Sequence, residues 1–363
     1  MTNQIQKHVS VLLEKNKASS NETAAMVIKG HHNQDISDHK VQADLFAQFY
    51  ESLAIQSNEE HFDNDHLEDC EYRYSLINNI VKHTASKSIN TKLNEEDIHL
   101  SIGKLNTGKI SDECTLTAEH FEYAGESIVL IIVNLFNKII QSRRIPKVFK
   151  TRILTPIHKK GNYPTLTTNN RGITVTSVLG TKFEYALHEK MPKLNNNQSD
   201  LQFGFTRGLS PIMAAVIVSE VIIQAKQQKS NLYLVTLDSQ KAFDVVHHIL
   251  LLEKFYYEVP PEIWKVIQDL YSDMSSQVKW NGYTSTHFNI KPGVRQGDVL
   301  STHLYKSYIN DLPLELEKRG LGLTIGLEYC GSPVCADDIV LMSTDDEEIQ
   351  AMLDVAYKYL LPA

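Results

Sequence analysis

Hydrophobic positions recur along this chain with two different periods, and the changes of period divide it into zones. From Met1 to Leu93 the sequence is polar and rich in Asn, His, Lys and Glu, and only Val41–Leu53 carries a helix-like segment. This zone, residues 1–93, is expected to be helical in part and partly disordered, with no catalytic role. Asn94-Glu95-Glu96-Asp97 is an acidic helix-start signature, because such side chains satisfy the free N–H groups of a first turn. A helical pattern follows from Glu126 to Gln141, and Ile153-Leu154-Thr155-Pro156-Ile157 reads as a short strand leading into the turn residues Lys159-Lys160-Gly161-Asn162.

The pattern is most regular from Asn231 onward. Asn231 to Leu237 is a β-rich run ending at Asp238, and Pro261 to Met274 sets Ile263, Ile267, Leu270, Tyr271 and Met274 on one helical stripe. Gln277–Trp280 and the residues from Tyr283 flank Asn281-Gly282, the strongest short hairpin signal. A helix is predicted from about Leu300 to Arg319. A second hairpin follows, Gly322–Cys330 against Pro333–Ser343 across Gly331-Ser332, and Thr344–Glu347 reads as a capping box opening a helix from Asp345 to Leu361. This order predicts an α+β fold, a layer of antiparallel strands with helices on one face.

Composition narrows the class. With 363 residues, 42% of them hydrophobic and 22% charged, the chain can bury the cores of a soluble protein. The four cysteines, Cys70, Cys114, Cys330 and Cys335, have neither zinc-ligand spacing nor the density of a disulfide framework, which points to reduced thiols in an intracellular protein. Nucleus and cytoplasm are not distinguished. The N-terminus lacks a signal-peptide apolar core, and the most apolar window, Ser127 to Ile140, is shorter than the ~20 residues of a membrane span, so no membrane partner is expected.

The net charge of −8 by itself argues against a polyanionic partner. Its distribution reverses that reading. Seven acids crowd between Glu59 and Glu71, whereas Lys138 to Arg171 holds nine basic residues and no acidic one.

The candidate chemistry lies in Val334-Cys335-Ala336-Asp337-Asp338-Ile339-Val340-Leu341. Two carboxylates in an apolar run would cost several kcal/mol if left bare, so they must sit at an exposed turn, be paired, or bind cations. Asp238 ends its own apolar strand, and if the two strands pair, Asp238 and Asp337 converge. Three convergent carboxylates suit Mg²⁺ or Mn²⁺ in the manner of a two-metal phosphoryl-transfer site.

Leu237-Asp238-Ser-Gln-Lys-Ala-Phe243-Asp244, then Gly293-Val-Arg-Gln-Gly-Asp-Val-Leu-Ser301, then Ala336-Asp337-Asp338 resembles the ordered palm signature of reverse transcriptases from non-LTR (LINE-type) retrotransposons. The similarity extends upstream through Leu100–Lys109, Ile145–Gly161, Asn170–Ile173 and Gln202-Phe-Gly-Phe-Thr-Arg-Gly208, from roughly Asn94 to the C-terminus. The resemblance implies a right-hand polymerase fold: an N-terminal extension and fingers over 94–230, and an antiparallel palm sheet backed by helices over 231–363, with the thumb missing. It implies an RNA-directed DNA polymerase that transfers nucleotides from dNTPs to a primer 3′-hydroxyl on an RNA template with a DNA primer. The alternative is a non-catalytic nucleic-acid-binding remnant of such a polymerase. Protein partners are not specified.

Site roles follow from the resemblance, residue by residue. Asp238 and Asp337 would be the principal ligands of two Mg²⁺ ions, with Mn²⁺ as a substitute, and Asp338 would complete the acidic cluster. Phe243 matches a steric gate against the ribonucleotide 2′-hydroxyl, and Gln296 and Gly297 match the turn that meets the incoming nucleotide. Lys159 or Lys160, with Arg171, would contact the triphosphate. Arg143, Arg144, Lys150 and Arg152 would face template or primer backbone. Cys335 stands where an aromatic more often supports the primer end, Thr302 replaces a commoner Pro, and Ile110-Ser-Asp-Glu-Cys114 replaces a Gly/Pro-rich loop.

Overall fold

A computed structural model describes residues 27–30, 33–53, 64–85, 91–159, 163–192, 194, 196–238, 243, 246–290, 293–294 and 298–360. Short strands β1 (Ile28–Lys29) and β2 (Asp35–Ile36) precede helices α1 (His39–Leu53), α2 (Asn64–Ala85), α3 (Glu95–Gly103), α4 (Ala118–Glu122), α5 (Glu126–Ser142) and α6 (Lys147–Lys150). Strands β3 (Thr151–His158) and β4 (Asn170–Val175), helices α7 (Val178–His188) and α8 (Pro211–Gln228), strand β5 (Tyr233–Asp238) and helices α9 (His248–Phe255) and α10 (Pro261–Leu270) come next. The remainder is β6 (Ser275–Trp280), β7 (Tyr283–Thr284), β8 (Phe288–Asn289), α11 (Val299–Lys318), β9 (Thr324–Ile325), β10 (Glu328–Tyr329), β11 (Val334–Cys335), β12 (Asp338–Ser343) and α12 (Asp346–Leu360).

The chain forms two compact units from interleaved segments: 1–55, 92–189 and 266–291 in the first, 56–91, 190–265 and 292–363 in the second. One boundary, between residues 91 and 92, lies beside the division at residue 93, whereas residue 230 falls inside the segment 190–265.

In the first unit, β4, β3, β6 and β7 lie in that order, with β8 also on β6. An all-antiparallel layer was expected, but β3 and β6 run parallel, with Thr151 opposite Ser275 and Leu154 opposite Val278. The reason is that the Asn281-Gly282 hairpin joins the sheet more than a hundred residues after β3, a pairing that local periodicity does not encode. The hairpin itself forms as expected, with Trp280 opposite Tyr283 and both Asn281 (φ 48°) and Gly282 (φ 84°) left-handed, as its tight turn requires. Helix α1 packs Ala43, Phe46 and Ala47 against Val278, Trp280 and Phe288. Helix α3 starts where the sequence says: Asn94 Oδ1 accepts from the Asp97 N–H at 2.9 Å and Asp97 Oδ2 from the Asn94 N–H at 2.8 Å.

In the second unit, β11, β12 and β5 form an antiparallel sheet. Ile339 and Leu341 alternate with residues of the opposite face, where Met342 and Val340 join Val221, Val218 and Ile217 of α8. The expected single hairpin across Gly331-Ser332 is instead two hairpins, β9 with β10 and β11 with β12, because Gly326 (φ 64°) and Ala336 (φ 62°) each turn the chain. The last helix is capped by Asp345 rather than Thr344: its Oδ1 accepts the Glu348 N–H at 2.8 Å. Among the described residues no helix is long and apolar enough to cross a membrane.

Candidate active site

The site is assembled by strand register. Asp238, last in β5, lies directly opposite Asp338, first in β12. Asp337 occupies the two-residue turn that joins β11 to β12, between Ala336 and Asp338. Cross-strand partners share a face of a sheet, so Asp238 and Asp338 emerge on the same side, together with Thr236 and Val340. The register makes Asp338 the direct cross-strand neighbour of Asp238, and Asp337 is one residue further, at the turn rather than inside the strand.

The electrostatics record three negative groups acting on one another. Partial desolvation and then the charges of Asp337 and Asp238 raise the pKa of Asp338. Burial raises the thiol of Cys335, with Asp338 and Asp337 adding to it. Among the described residues no lysine, arginine or histidine forms an ion pair with any of the three acids. Asp238 and Asp338 are exposed and Asp337 is half-buried. Hard oxygen donors that no described cation pairs with, at a solvent-accessible strand end, suit a divalent cation of the Mg²⁺ type. Among the described residues no three His, Cys, Asp or Glu side chains stand together as a group that could hold a metal ion, so the case for a cation rests on donor chemistry and register alone.

The turn carrying the acids is braced from behind. Gln202 bridges Val334 in parallel, the Phe203 N–H donates to Val334 O at 2.8 Å and the Val334 N–H to Leu201 O at 2.9 Å. A Cβ on Gly204 would stand 2.0 Å from the Ala336 nitrogen, so only glycine allows this loop to approach the turn. Phe243 stacks on Tyr305 of α11, ring centroids 4.5 Å apart and 19° from parallel. Its carbonyl accepts the Val294 N–H at 2.7 Å. Tyr305 is 3% exposed, and burial first, then Asp337 and Asp338, pushes its hydroxyl pKa up. Sequence reading missed Gly204 and Tyr305; the signals were a Gly between two aromatics and an aromatic on the helix after the Gly293–Ser301 motif.

In the first unit, Ile157 pairs with Arg171 across β3 and β4. Lys159 follows Ile157 by two residues, so Lys159 and Arg171 share the exposed face of this hairpin. Arg143 caps α5 in a left-handed conformation, half-buried, and Arg144 is exposed. Two expected backbone contacts are withdrawn. Lys150, 7% exposed, pairs with Asp269 at 2.7 Å and bonds Ser272 at 3.2 Å; Arg152, 6% exposed, donates to Met274 Sδ at 3.2 Å. Both cations serve the interior of their unit, because the helix-to-strand junction at Thr151 turns them inward. Lys160, Gln296 and Gly297 lie outside the described residues.

Comparison with known proteins decides the family. The family described as "Reverse transcriptase (RNA-dependent DNA polymerase)" matches residues 157–361, more than half of the chain. The chain belongs to the reverse transcriptase family. It is 26% identical over 221 residues to the RNA-directed DNA polymerase from mobile element jockey of Drosophila melanogaster, covering 60% of this chain and 24% of that protein. Similarity to the probable RNA-directed DNA polymerase from transposon X-element of Drosophila melanogaster is 28% over 188 residues, 51% of this chain and 21% of that protein. The type-1 retrotransposable element R2 Pol polyprotein of Nasonia vitripennis is 31% identical over 138 residues, 38% of this chain and 13% of that one. The chain thus spans between 13% and 24% of the length of these three relatives.

Proposed function

We propose that the chain acts as an RNA-directed DNA polymerase, joining a deoxynucleotide to a primer 3′-hydroxyl on an RNA template. The observation that carries this reading is the register that sets Asp238 opposite Asp338, with Asp337 on the adjoining turn. In this reading Asp238 and Asp337 hold two divalent ions and Asp338 completes the acidic cluster. Bound ions of this class neutralise a triphosphate and lower the pKa of an attacking hydroxyl. The protein's own part is position and charge. Residues 94–230 carry the fingers functions and 231–363 the palm.

Lys159 and Arg171 meet the triphosphate in this scheme; their shared hairpin face supports the pairing, Arg offering a bidentate fork and Lys a mobile point charge. Lys160, Gln296 and Gly297 keep the nucleotide-binding roles that their motif positions imply. Phe243 excludes a ribose 2′-hydroxyl, its ring held against Tyr305. Arg143 and Arg144 contact template backbone, and Cys335 lies at the primer end.

Extension of a DNA primer on an RNA template, with Mg²⁺ and deoxynucleotides, tests the reading. Asp238→Ala is expected to cut incorporation roughly a thousandfold, since it removes charge placed at the reacting centre. Equal, background incorporation by wild type and Asp238→Ala, with both still shifting labelled RNA, would leave a nucleic-acid-binding remnant as the better account.

A further inference from the structure

The loop that braces the acid turn also reaches Phe243. The rings of Phe205 and Phe243 meet edge-to-face, with centroids 5.8 Å apart and an 87° interplanar angle. Phe243 is therefore held by two rings, Phe205 at a right angle and Tyr305 stacked. Edge-to-face and stacked contacts of this kind fix ring orientation as well as burying area.

Phe205 takes this place at a conformational cost. Its φ is 51°, in the left-handed region that bulky L-residues avoid, and its side chain remains 47% exposed. Ordinary core packing explains neither. A strained backbone persists only where its surroundings over-determine it, and here they do. On one side, the Gly204 N–H donates to Gln202 Oε1 at 2.9 Å, and Gly204 abuts the Ala336 backbone. On the other, the Thr206 hydroxyl donates to the carbonyls of Gln202 (3.1 Å) and Gly204 (3.0 Å). Gln198 Nε2 bonds both Gln202 O (3.1 Å) and Thr206 Oγ1 (2.8 Å) and its Oε1 accepts from Lys306 of α11 at 3.1 Å. Asn310, one turn along α11 from Lys306, fixes the loop's entry through the Ser199 N–H at 2.8 Å. The helix that supplies Tyr305 thus also anchors the loop that supplies Phe205.

We propose that Phe205 is the positioning residue of the sugar gate, holding the Phe243 ring at the angle that excludes a ribose 2′-hydroxyl. The inference rests on the polymerase reading and adds to it a determinant of sugar selectivity lying outside the strand and helix that carry the gate. In this inference Phe205 acts through its contact with Phe243, so its loss alters discrimination more than turnover.

The test is single-nucleotide incorporation by the full chain on an RNA template with a DNA primer, comparing efficiencies for a deoxynucleotide and the matching ribonucleotide. Phe205→Ala is expected to raise the ribo-to-deoxy efficiency ratio about tenfold, the size of discrimination lost with one misfitting contact, while deoxynucleotide kcat changes only a few-fold. Phe205→Tyr, which keeps the ring, is expected to retain the wild-type ratio. Phe205→Leu, which keeps apolar bulk without a ring edge, is expected to fall between and guards against a variant that fails to fold. A ratio unchanged in Phe205→Ala and Phe205→Leu, with deoxynucleotide incorporation still above that of Asp238→Ala, would overturn the inference and leave the polymerase reading intact. Equal loss with both sugars would assign Phe205 a purely structural role and also overturn it. Absence of any wild-type incorporation above Asp238→Ala would overturn both.

Discussion

Lys150 and the acids at the end of β5 and β12 are charges set in otherwise apolar sequence, yet they are treated in opposite ways. Lys150 is buried beside Asp269, whose second role is to accept the Ile145 N–H at 2.7 Å. Asp238, Asp337 and Asp338 form no ion pair among the described residues, and at Asp338 partial burial, then the charges of Asp337 and Asp238, raise the proton affinity. A charge that the fold neutralises internally reports structure; a cluster left to repel itself at an accessible strand end reports a ligand.

The largest effect that would sharpen this contrast is expected at Gly204. If backbone packing rather than ion pairing places the acids, Gly204→Ala must push the Ala336 turn away, because its Cβ would lie 2.0 Å from the Ala336 nitrogen. Incorporation should fall by roughly a hundredfold, as when catalytic groups shift by about 1 Å, with circular dichroism near that of the wild type. Full activity would mean that the turn is not braced in this way. Next, Asp269→Ala strands Lys150 and should lower stability by about 2 kcal/mol in urea unfolding, below the range for a fully buried pair because Asp269 is partly exposed. An unchanged midpoint would break the comparison on its structural side.

A smaller effect concerns Lys182, a buried cation whose Nζ has no hydrogen-bond partner among the described residues. It sits 3.4 Å from the centroid of the Phe121 ring. Burial pushes its pKa down to about 7 from 10.5; the ring face offsets part of that by favouring the charged form. Between these values the unfolded chain binds the extra proton, so the Lys182 contribution to stability is lowest at and below about pH 7 and rises as the pH climbs toward 10.5. The urea midpoint of the wild type relative to that of Lys182→Met should therefore increase over this window. A pH-independent difference would place Lys182 in water.

The strands ending in Asp238 and Ser343 and the last helix were legible because each depends on local signals, an apolar run ending in Asp238, an apolar run ending in Ser343 and a helix cap near Asp345, whereas the hairpin turns between Gly322 and Asp338 were not. Register was less legible. Period-2 alternation sets faces but not partners, so convergence of Asp238 with the Asp pair could be expected, but not which of Asp337 and Asp338 lies directly opposite it. The basic run was only partly legible, since charge in a sequence does not say whether a side chain points to solvent; Arg144 does and Lys150 does not. The β3–β6 pairing and the contact of Gly204 with Ala336 join residues more than a hundred positions apart, and no local period encodes such contacts. Helix α2, within the polar zone, was missed because its Asn-, Asp- and Glu-rich sequence leaves only a narrow apolar stripe.

The most direct test of the acid cluster is Mn²⁺ binding to the purified chain, followed by the loss of the free-ion electron paramagnetic resonance signal. The wild type should bind Mn²⁺, and Asp238→Asn and Asp337→Asn should each weaken binding at least about tenfold, as expected when a ligand carboxylate is neutralised. Affinities equal in all three proteins would contradict the claim that these carboxylates form a cation site.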